Sequence, residues 1–161
     1  MPNITDPTQG LVSFQRALKA GSITNLQRGA LDPTIYMHFD EPNGEPRFTY
    51  VRLEGKTVTA LVMLARVESL QGLPCFQIGY AVPDEYRKQG RAQSAIEAAI
   101  AELQAGLARN GISTFYVEAV VGADNEPSKR VAEKAISASP KAITDQFSGE
   151  AALHYVKHVG A

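Results

Sequence analysis

Cysteine is nearly absent from this chain, and tryptophan is missing altogether. Cys75 is the single cysteine among 161 residues, so no disulfide can form within the chain and a zinc site built on several thiolates is excluded. Cys75 stands in an apolar stretch, which favours a small buried hydrophobe over a nucleophile. His154 and His158 lie four residues apart near the C-terminus without a third metal ligand nearby in the sequence. We therefore predict surface histidines and no metal site.

Long apolar runs are also missing. No stretch approaches the roughly 20 residues that a membrane-spanning helix requires, and residues 1–6 lack the basic and apolar regions of a secretory signal. We therefore expect a cytoplasmic protein with no membrane partner. The formal net charge is -1, and basic residues are not interleaved with aromatic ones, which argues against nucleic acid as a partner. An anionic ligand would need a local cluster of donors instead.

Length and composition are typical of one folded domain. Hydrophobic residues make up 44% of the chain and charged residues 20%, which is an ordinary balance for a globular protein. A chain of 161 residues fits one hydrophobic core better than two. The sequence contains no internal repeat, low-complexity segment or linker. We therefore expect a single domain over residues 1–161.

Hydrophobic periodicity predicts the order of elements in the first half of the chain. A helix is expected from Pro7 until Gly21 stops it, and a second short helical piece is expected to include Leu26 and end near Gly29. The period then becomes alternating, which predicts an antiparallel meander of about four strands. These strands begin at residue 34 and continue over residues 48–53, 57–67 and 75–82, with a hairpin turn at residues 43–44.

The second half predicts two further helices and a closing hairpin. A long amphipathic helix begins at about Ala92 and ends at residues 110–111. An apolar strand over residues 112–121 leads to a helix with Asp124 or Asn125 as its cap and Pro127 in its first turn. Residues 142–159 are expected to form two strands folded at residues 148–149. The order predicts a mixed α/β sheet flanked by helices.

The segment from residue 82 to residue 92 is the most informative part of the sequence. A strand ends there, a short basic loop follows, and a long helix begins. The first turn of a helix has unpaired N–H groups and the positive end of the helix dipole, so a loop leading into it can wrap amides around a diphosphate. Gly90 would let the backbone approach the ligand, and Ala92 is too small to block it. Charge at the rim comes from Arg87, Lys88 and Arg91.

This basic loop by itself is also compatible with an ordinary turn. It lacks the three glycines of a dinucleotide fingerprint and the Gly-Lys-Ser/Thr of a nucleoside triphosphate loop. The wider context resembles the acyl-CoA motif of the GNAT N-acetyltransferases. Gly-Tyr-Ala-Val at residues 79–82 precedes Arg87-x-x-Gly90-x-Ala92, which is similar to the family's pattern of Arg or Gln, two residues, Gly, one residue, then Gly or Ala. Asn125 and Ser128 resemble the family's Asn-x-x-Ser, and the similarity extends from about residue 47 to residue 134.

The resemblance implies a GNAT-like fold with a mostly antiparallel central sheet, in one acyl-CoA-dependent N-acyltransferase domain. It implies acetyl-CoA, or another short acyl-CoA, as the cosubstrate and an amine of a small molecule or peptide as the acceptor. A homodimer follows on the same grounds. Direct attack of the amine is expected, because Cys75 is not placed as a nucleophile.

The resemblance also implies a role for each matching position. Backbone groups of residues 80–82 would pair with the pantetheine arm or polarise the thioester carbonyl, and amides of residues 88–93 would hold the pyrophosphate. Asn125 and Ser128 would reach the cofactor from the neighbouring helix, although an N-cap and a surface residue are the structural alternatives. The implied cofactor-binding residues are Tyr80, Ala81, Val82, Arg87, Lys88, Gln89, Gly90, Arg91, Ala92, Gln93, Asn125 and Ser128.

The residues expected to perform acid–base catalysis depart from the family pattern. Gln77 stands near the position at which some members carry a glutamate base, and Ala132 stands where others carry a tyrosine acid. Our preferred base is Glu118, which shares a strand face with Val120, a position where part of the family carries its catalytic glutamate. A salt-bridged strand carboxylate is the alternative for Glu118. Ser128 would relay a proton to the leaving thiolate.

These departures leave a second function open, a non-catalytic CoA-binding module that regulates or senses. They also bear on the acceptor, because deprotonation at pH 7 costs about 4.6 kcal/mol for a lysine amine and about 1.4 kcal/mol for an α-amine. A site without a strong base therefore favours the α-amine, or a base that is reached through water. Small-molecule amines, peptide N-termini and lysine side chains all remain open as acceptors.

Overall fold

A computed structural model gives the fold of residues 7–146 and 148–160. Residues 1–6, which were considered above for a targeting signal, lie outside these ranges. Within the described ranges, no helix combines the length and the apolar character that crossing a membrane requires.

The described residues form helices and strands in an order close to the predicted one. The helices are α1 (Pro7–Lys19), α2 (Arg91–Arg109) and α3 (Glu126–Ala135). The strands are β1 (Gln27–Arg28), β2 (Ile35–Asp40), β3 (Arg47–Glu54), β4 (Thr57–Leu70), β5 (Leu73–Ala81), β6 (Thr114–Gly122), β7 (Lys141–Thr144) and β8 (Ala151–Gly160).

The described strands form a sheet in the order β1-β2-β3-β4-β5-β6-β8-β7. Neighbouring strands are antiparallel except β5 and β6, which run parallel. The predicted mixed, mostly antiparallel sheet is therefore confirmed. The predicted C-terminal hairpin is also present, and its second strand, β8, lies between β6 and β7.

Helices pack on both faces of this sheet. Face A is the face to which Phe76 and Phe115 point, and α2 and α3 pack there through residues such as Ile96. Face B is the opposite face, and α1 packs there with Leu11 and Phe14 against β4. Because side chains alternate along a strand, residues at an odd number of positions from Phe76 or Phe115, such as residues 77 and 118, belong to face B.

The segment before β2 is not helical, and the predicted second helix is wrong. After the short strand β1, the backbone amides of Ala30, Leu31 and Asp32 donate to the carboxylate of Glu102 in α2, at 2.9, 2.8 and 2.7 Å. Glu102 is only 8% exposed. A buried carboxylate is a stronger acceptor than a backbone carbonyl, so a residue distant in sequence holds these amides outside a helix.

Replacing Glu102 by glutamine should destabilise the fold by about 2 kcal/mol, because three amide donors would lose their charged acceptor. The free energy of unfolding in urea would measure the effect. Glu97→Gln is the matched control, since Glu97 lies on the exposed side of the same helix, and it should change stability by no more than about 0.5 kcal/mol. Equal losses for the two variants would contradict a special role of the Glu102 charge.

Candidate active site

The loop that connects β5 to α2 has left-handed backbone at two positions. Gly90 has a φ of 72°, and Lys88 has a φ of 62°, which is uncommon for a residue with a Cβ. Turns of this kind bring successive N–H groups together into an anion-binding concavity. A Cβ on Gly90 would contact no protein atom within 4 Å. In the described structure, glycine is therefore favoured at this position by its dihedral angle. The sequence analysis had given a different reason for Gly90, namely that a missing Cβ lets a ligand approach the backbone.

The first turn of α2 follows directly from this loop. The helix begins at Arg91, one residue earlier than predicted, with Gly90 at the N-cap position. The amide of Ser94 donates to the carbonyl of Gly90 at 3.1 Å, so the amides of Arg91, Ala92 and Gln93 precede the first intrahelical bond. Glycine has no side chain that could cap them. The first amides of this 19-residue helix therefore have no acceptor within the helix, and they lie at the positive end of its dipole.

The side chain of Arg87 braces the loop. Its Nε donates to the carbonyl oxygen of Val82 at 3.0 Å, and its Nη1 lies 3.0 Å from a carboxylate oxygen of Asp84. The guanidinium therefore joins the end of β5 to the turn that follows, while more than half of the side chain stays exposed. Arg87 adds positive charge to the rim and also holds the loop in shape.

Arg91 is held by its neighbours in a similar way. Its guanidinium carbon lies 4.9 Å from the centre of the Tyr86 ring, as in a cation–π contact. Its Nε donates to the side-chain oxygen of Gln89 at 3.0 Å. Gln89, one of the residues expected to contact the cofactor, therefore positions Arg91.

A cavity of about 610 Å³ lies against this loop, the end of β5 and the first turns of α3, within the usual size of a ligand pocket. The described residues that line it include five basic side chains and no carboxylate. A chain with a net charge of -1 thus concentrates positive charge in one place. The lining residues are Thr8, Tyr80, Ala81, Val82, Tyr86, Arg87, Lys88, Gly90, Arg91, Ala92, Gln93, Asn125, Pro127, Ser128, Arg130, Val131 and Lys134.

The cavity brings together all the residues that the sequence suggested for the cofactor, except Gln89. It also contains residues that sequence reasoning missed. Arg130 and Lys134 are four residues apart on α3, a spacing that places them on one side of a helix and was available in the sequence. Thr8 of α1 and Tyr86 carried no such signal, because their position depends on how distant elements pack.

The predicted Asn-x-x-Ser pair forms the N-terminus of α3. The side-chain oxygen of Asn125 accepts from the amide of Ser128 at 3.3 Å, so Asn125 is an N-cap as well as a lining residue. The carbonyl oxygen of Ser128 accepts from the Tyr80 hydroxyl at 2.8 Å. Burial raises the pKa of Tyr80, so this hydroxyl stays protonated. Tyr80 thereby ties β5 to α3 at the cavity wall.

Strands β5 and β6 separate at the cavity. They pair at Cys75–Tyr116, Phe76–Val117 and Gln77–Glu118, although β5 continues to Ala81 and β6 to Gly122. Beyond Gln77, this edge of β5 has no strand partner within the described part of the chain. We call this gap the split.

Glu118 lies at the base of the split, on face B and outside the cavity lining. Its Oε2 is 2.7 Å from Nε2 of His154, and the two side chains are 20% and 25% exposed. His154 is therefore a half-buried partner of Glu118, and the expectation of a surface histidine is wrong. The reason is the position of β8 next to β6, which periodicity does not reveal. His158 is exposed as expected, with its ring centre 5.1 Å from that of Tyr116.

Cys75 is buried, as predicted, with 1% of its surface exposed. Burial raises the pKa of its thiol to about 12, and the nearby Glu118 carboxylate adds to the effect. The thiolate, which is the nucleophilic form, is therefore strongly disfavoured. Among the described residues, no group of three or more His, Cys, Asp or Glu side chains could hold a metal ion.

Comparisons with known proteins agree with this geometry. The crystal structure of a ribosomal-protein-S5-alanine acetyltransferase from Vibrio fischeri is 15% identical with a TM-score of 0.52, over 71% of this chain and 62% of that chain. A GNAT-family acetyltransferase from Streptococcus pneumoniae is 12% identical with a TM-score of 0.54, over 98% of both chains. The NatC complex bound to Gag peptide and CoA is 16% identical with a TM-score of 0.53, over 69% of this chain and 70% of that chain. At such identities these similarities show the fold alone.

No curated protein sequence matches this chain. The model of the acetyltransferase (GNAT) family, however, matches residues 20–136. This range runs from before β1 to the end of α3 and contains the loop, the split and the N-terminus of α3. The chain belongs to the GNAT acetyltransferase family.

Proposed function

We propose that this protein transfers an acetyl or other short acyl group from a CoA thioester directly to an amine. Family membership supports acyl transfer from acetyl-CoA to an amine. The observation that carries the proposal here is the cavity in which five basic side chains meet the amides at the start of α2. A CoA molecule presents phosphate groups at one end and an acyl thioester at the other, which suits a cavity that has basic side chains in its lining and reaches the unpaired end of β5.

Each wall of the cavity has a proposed role toward the cosubstrate. The amides of residues 88–93 hold the pyrophosphate at the helix N-terminus, while Arg130 and Lys134 supply charge for the phosphates from α3. The separated end of β5 and the residue after it, residues 80–82, pair with the pantetheine arm, because the backbone groups of this strand edge face the split. Asn125 and Ser128 close the cavity from the first turn of α3.

The proposed acyl transfer is a direct displacement. Glu118 accepts a proton from the ammonium form of the acceptor, and the amine lone pair then attacks the thioester carbon. The C–N bond forms, the C–S bond breaks, and the second proton of the nitrogen passes to the leaving thiolate through the Ser128 hydroxyl. The sum is amide, free CoA and one proton released to solvent.

The test of this function compares thiol release with three classes of amine acceptor. Acetyl-CoA is mixed separately with a peptide that has a free N-terminus, an N-blocked lysine peptide and a polyamine, and thiol release is compared with the rate without amine. Amine-dependent release is expected with at least one class. CoA binding without turnover on any amine would contradict an enzymatic function and support the regulatory or sensor module.

A homodimer, a single domain and a cytoplasmic location stay predictions. Light scattering would test whether the protein is a homodimer.

Gly90→Val should weaken CoA binding about tenfold or more, because a branched residue in a left-handed conformation costs about 1–3 kcal/mol and deforms the loop. Titration calorimetry with CoA would measure the dissociation constant. The matched control is Gly106→Ala in α2, where a Cβ would lie at an ordinary 3.6 Å from the Arg109 side chain. Unchanged affinity in Gly90→Val would contradict the placement of the diphosphate at this loop.

Glu118→Gln should lower kcat about 100-fold, the lower end of the usual contribution of a general base. The dissociation constant of CoA should not change, since Glu118 lies outside the cavity lining. Glu133→Gln, on the exposed side of α3, controls for the loss of one negative charge. Full activity of Glu118→Gln would show that the carboxylate is only a structural partner of His154.

Cys75→Ala should keep its activity, because direct attack needs no acyl-thiol intermediate. In the native protein the thiol should react with an aromatic disulfide reagent only slowly at pH 8, since its pKa is raised to about 12 and it is 1% exposed. The full reaction should appear on unfolding. Loss of acyl transfer in a folded Cys75→Ala variant, or an acylated enzyme seen by mass spectrometry, would contradict direct transfer.

A further inference from the structure

Helix α3 lines the cavity with one continuous stripe of side chains. The members of the stripe, which lie on one side of the helix because they recur at helical spacing, are Pro127, Arg130, Val131 and Lys134. A helix rises about 1.5 Å per residue, so the stripe is about 10 Å long. The cavity wall on α3 therefore extends over about two turns, whereas α2 lines the cavity only with its first turn, up to Gln93.

The two basic residues of this stripe have no partner in the described part of the chain. Arg130 and Lys134 are exposed, and neither forms a hydrogen bond or an ion pair with a described residue. Lys129, the adjacent basic residue, lies outside the cavity lining, and its Nζ donates to the carbonyl oxygen of Ala123 at 3.0 Å and lies 2.9 Å from a carboxylate oxygen of Glu126. Of the basic residues on α3, the two that line the cavity are thus the ones available to a ligand.

The diphosphate of CoA has other donors in the proposed function. The amides of residues 88–93 hold it, and Arg87 and Arg91 belong to the same loop and helix start. Arg130 and Lys134 stand on a different wall, on another helix. The charged group of CoA that remains without a proposed partner is the phosphate on the 3′-hydroxyl of its ribose.

A phosphate monoester suits the chemistry of this stripe. It carries a charge of about −1.5 to −2 near pH 7. Helix residues four apart have Cβ atoms about 5–6 Å from each other, so the long side chains of Arg130 and Lys134 can converge on one phosphate. A guanidinium can bind two phosphate oxygens at once, and an ammonium adds a compact charge. Pro127 and Val131 supply apolar surface beside this charge, which suits the nucleoside that carries the phosphate.

We propose that Arg130 and Lys134 form a subsite for the 3′-phosphate of CoA and thereby select CoA over acyl donors that lack this phosphate. This inference rests on the proposed function and adds to it a determinant of donor specificity. The 3′-phosphate and the thioester are at opposite ends of CoA. The pair therefore contributes to binding equally before and during acyl transfer, and it takes no part in the chemical step.

The test compares CoA with 3′-dephospho-CoA, which keeps the diphosphate and the pantetheine arm. Titration calorimetry at one ionic strength gives both dissociation constants for the wild type and for the double variant Arg130→Gln/Lys134→Gln. Lys88→Gln is the control inside the cavity, because it removes a cation from the loop at which both ligands place their diphosphate. Lys141→Gln is the control outside it, on the exposed surface of β7. The KM for acetyl-CoA and kcat are measured with the same variants.

The wild type should bind CoA about tenfold or more tightly than 3′-dephospho-CoA, as expected for hydrogen bonds to a charged group. In the double variant, the affinity for CoA should fall about tenfold or more, and that for 3′-dephospho-CoA less than about threefold. The KM for acetyl-CoA should rise with kcat unchanged, since uniform binding is lost. Lys88→Gln should weaken both ligands by the same factor, and Lys141→Gln should weaken neither.

Equal losses for the two ligands in the double variant would overturn the proposal, as would a wild type that binds them equally well. A loss of preference in Lys88→Gln as large as in the double variant would also overturn it, because the preference would then come from the general positive field of the cavity. Amine-dependent turnover of acetyl-CoA by the wild type establishes the transferase separately. Failure of the 3′-phosphate subsite is therefore distinguishable from failure of the proposed function.

Discussion

The early separation of β5 and β6 is the constraint on which the site depends. The two strands share three residue pairs and part after Gln77 and Glu118, so the remaining backbone groups of β5 face a gap. Backbone donors and acceptors in a protein interior need partners, and in the proposed function the pantetheine arm of CoA supplies them. The start of α2 and the first turn of α3 surround the same opening. In the proposed function, the split thus forms part of the CoA-binding groove and decides where the acceptor can meet the thioester.

Positive charge is concentrated locally around that opening. The chain as a whole is close to neutral, with a net charge of -1, yet the cavity lining combines basic side chains with helix amides. Arg87 and Arg91 are held by Val82, Asp84 and Tyr86. These two side chains are therefore already ordered before a ligand binds, which lowers the conformational entropy lost on binding. A local field of this kind would favour a polyphosphate ligand in a chain whose net charge is small.

Two carboxylates show how the same group serves different purposes. Glu102 is buried and accepts three backbone amides, which fixes the path of the chain into β2. Glu118 is half-buried, has one histidine partner and stands beside the split, and we propose that it serves the acceptor amine. The difference comes from burial and from the number of donors that each carboxylate already satisfies.

The sequence by itself determined the features that arise within a few residues. Strand alternation, the period of α2, the spacing around Gly90 and the Asn125 cap depend on local geometry. They predicted the fold class, and the residues proposed from them for the cofactor line one cavity, except Gln89. Only the tertiary structure decided which distant segments meet. It placed β8 beside β6 and so brought His154 to Glu118, and it drew the amides of residues 30–32 to Glu102 in place of a helix. Such contacts depend on strand order and packing, and hydrophobic periodicity contains no information about either.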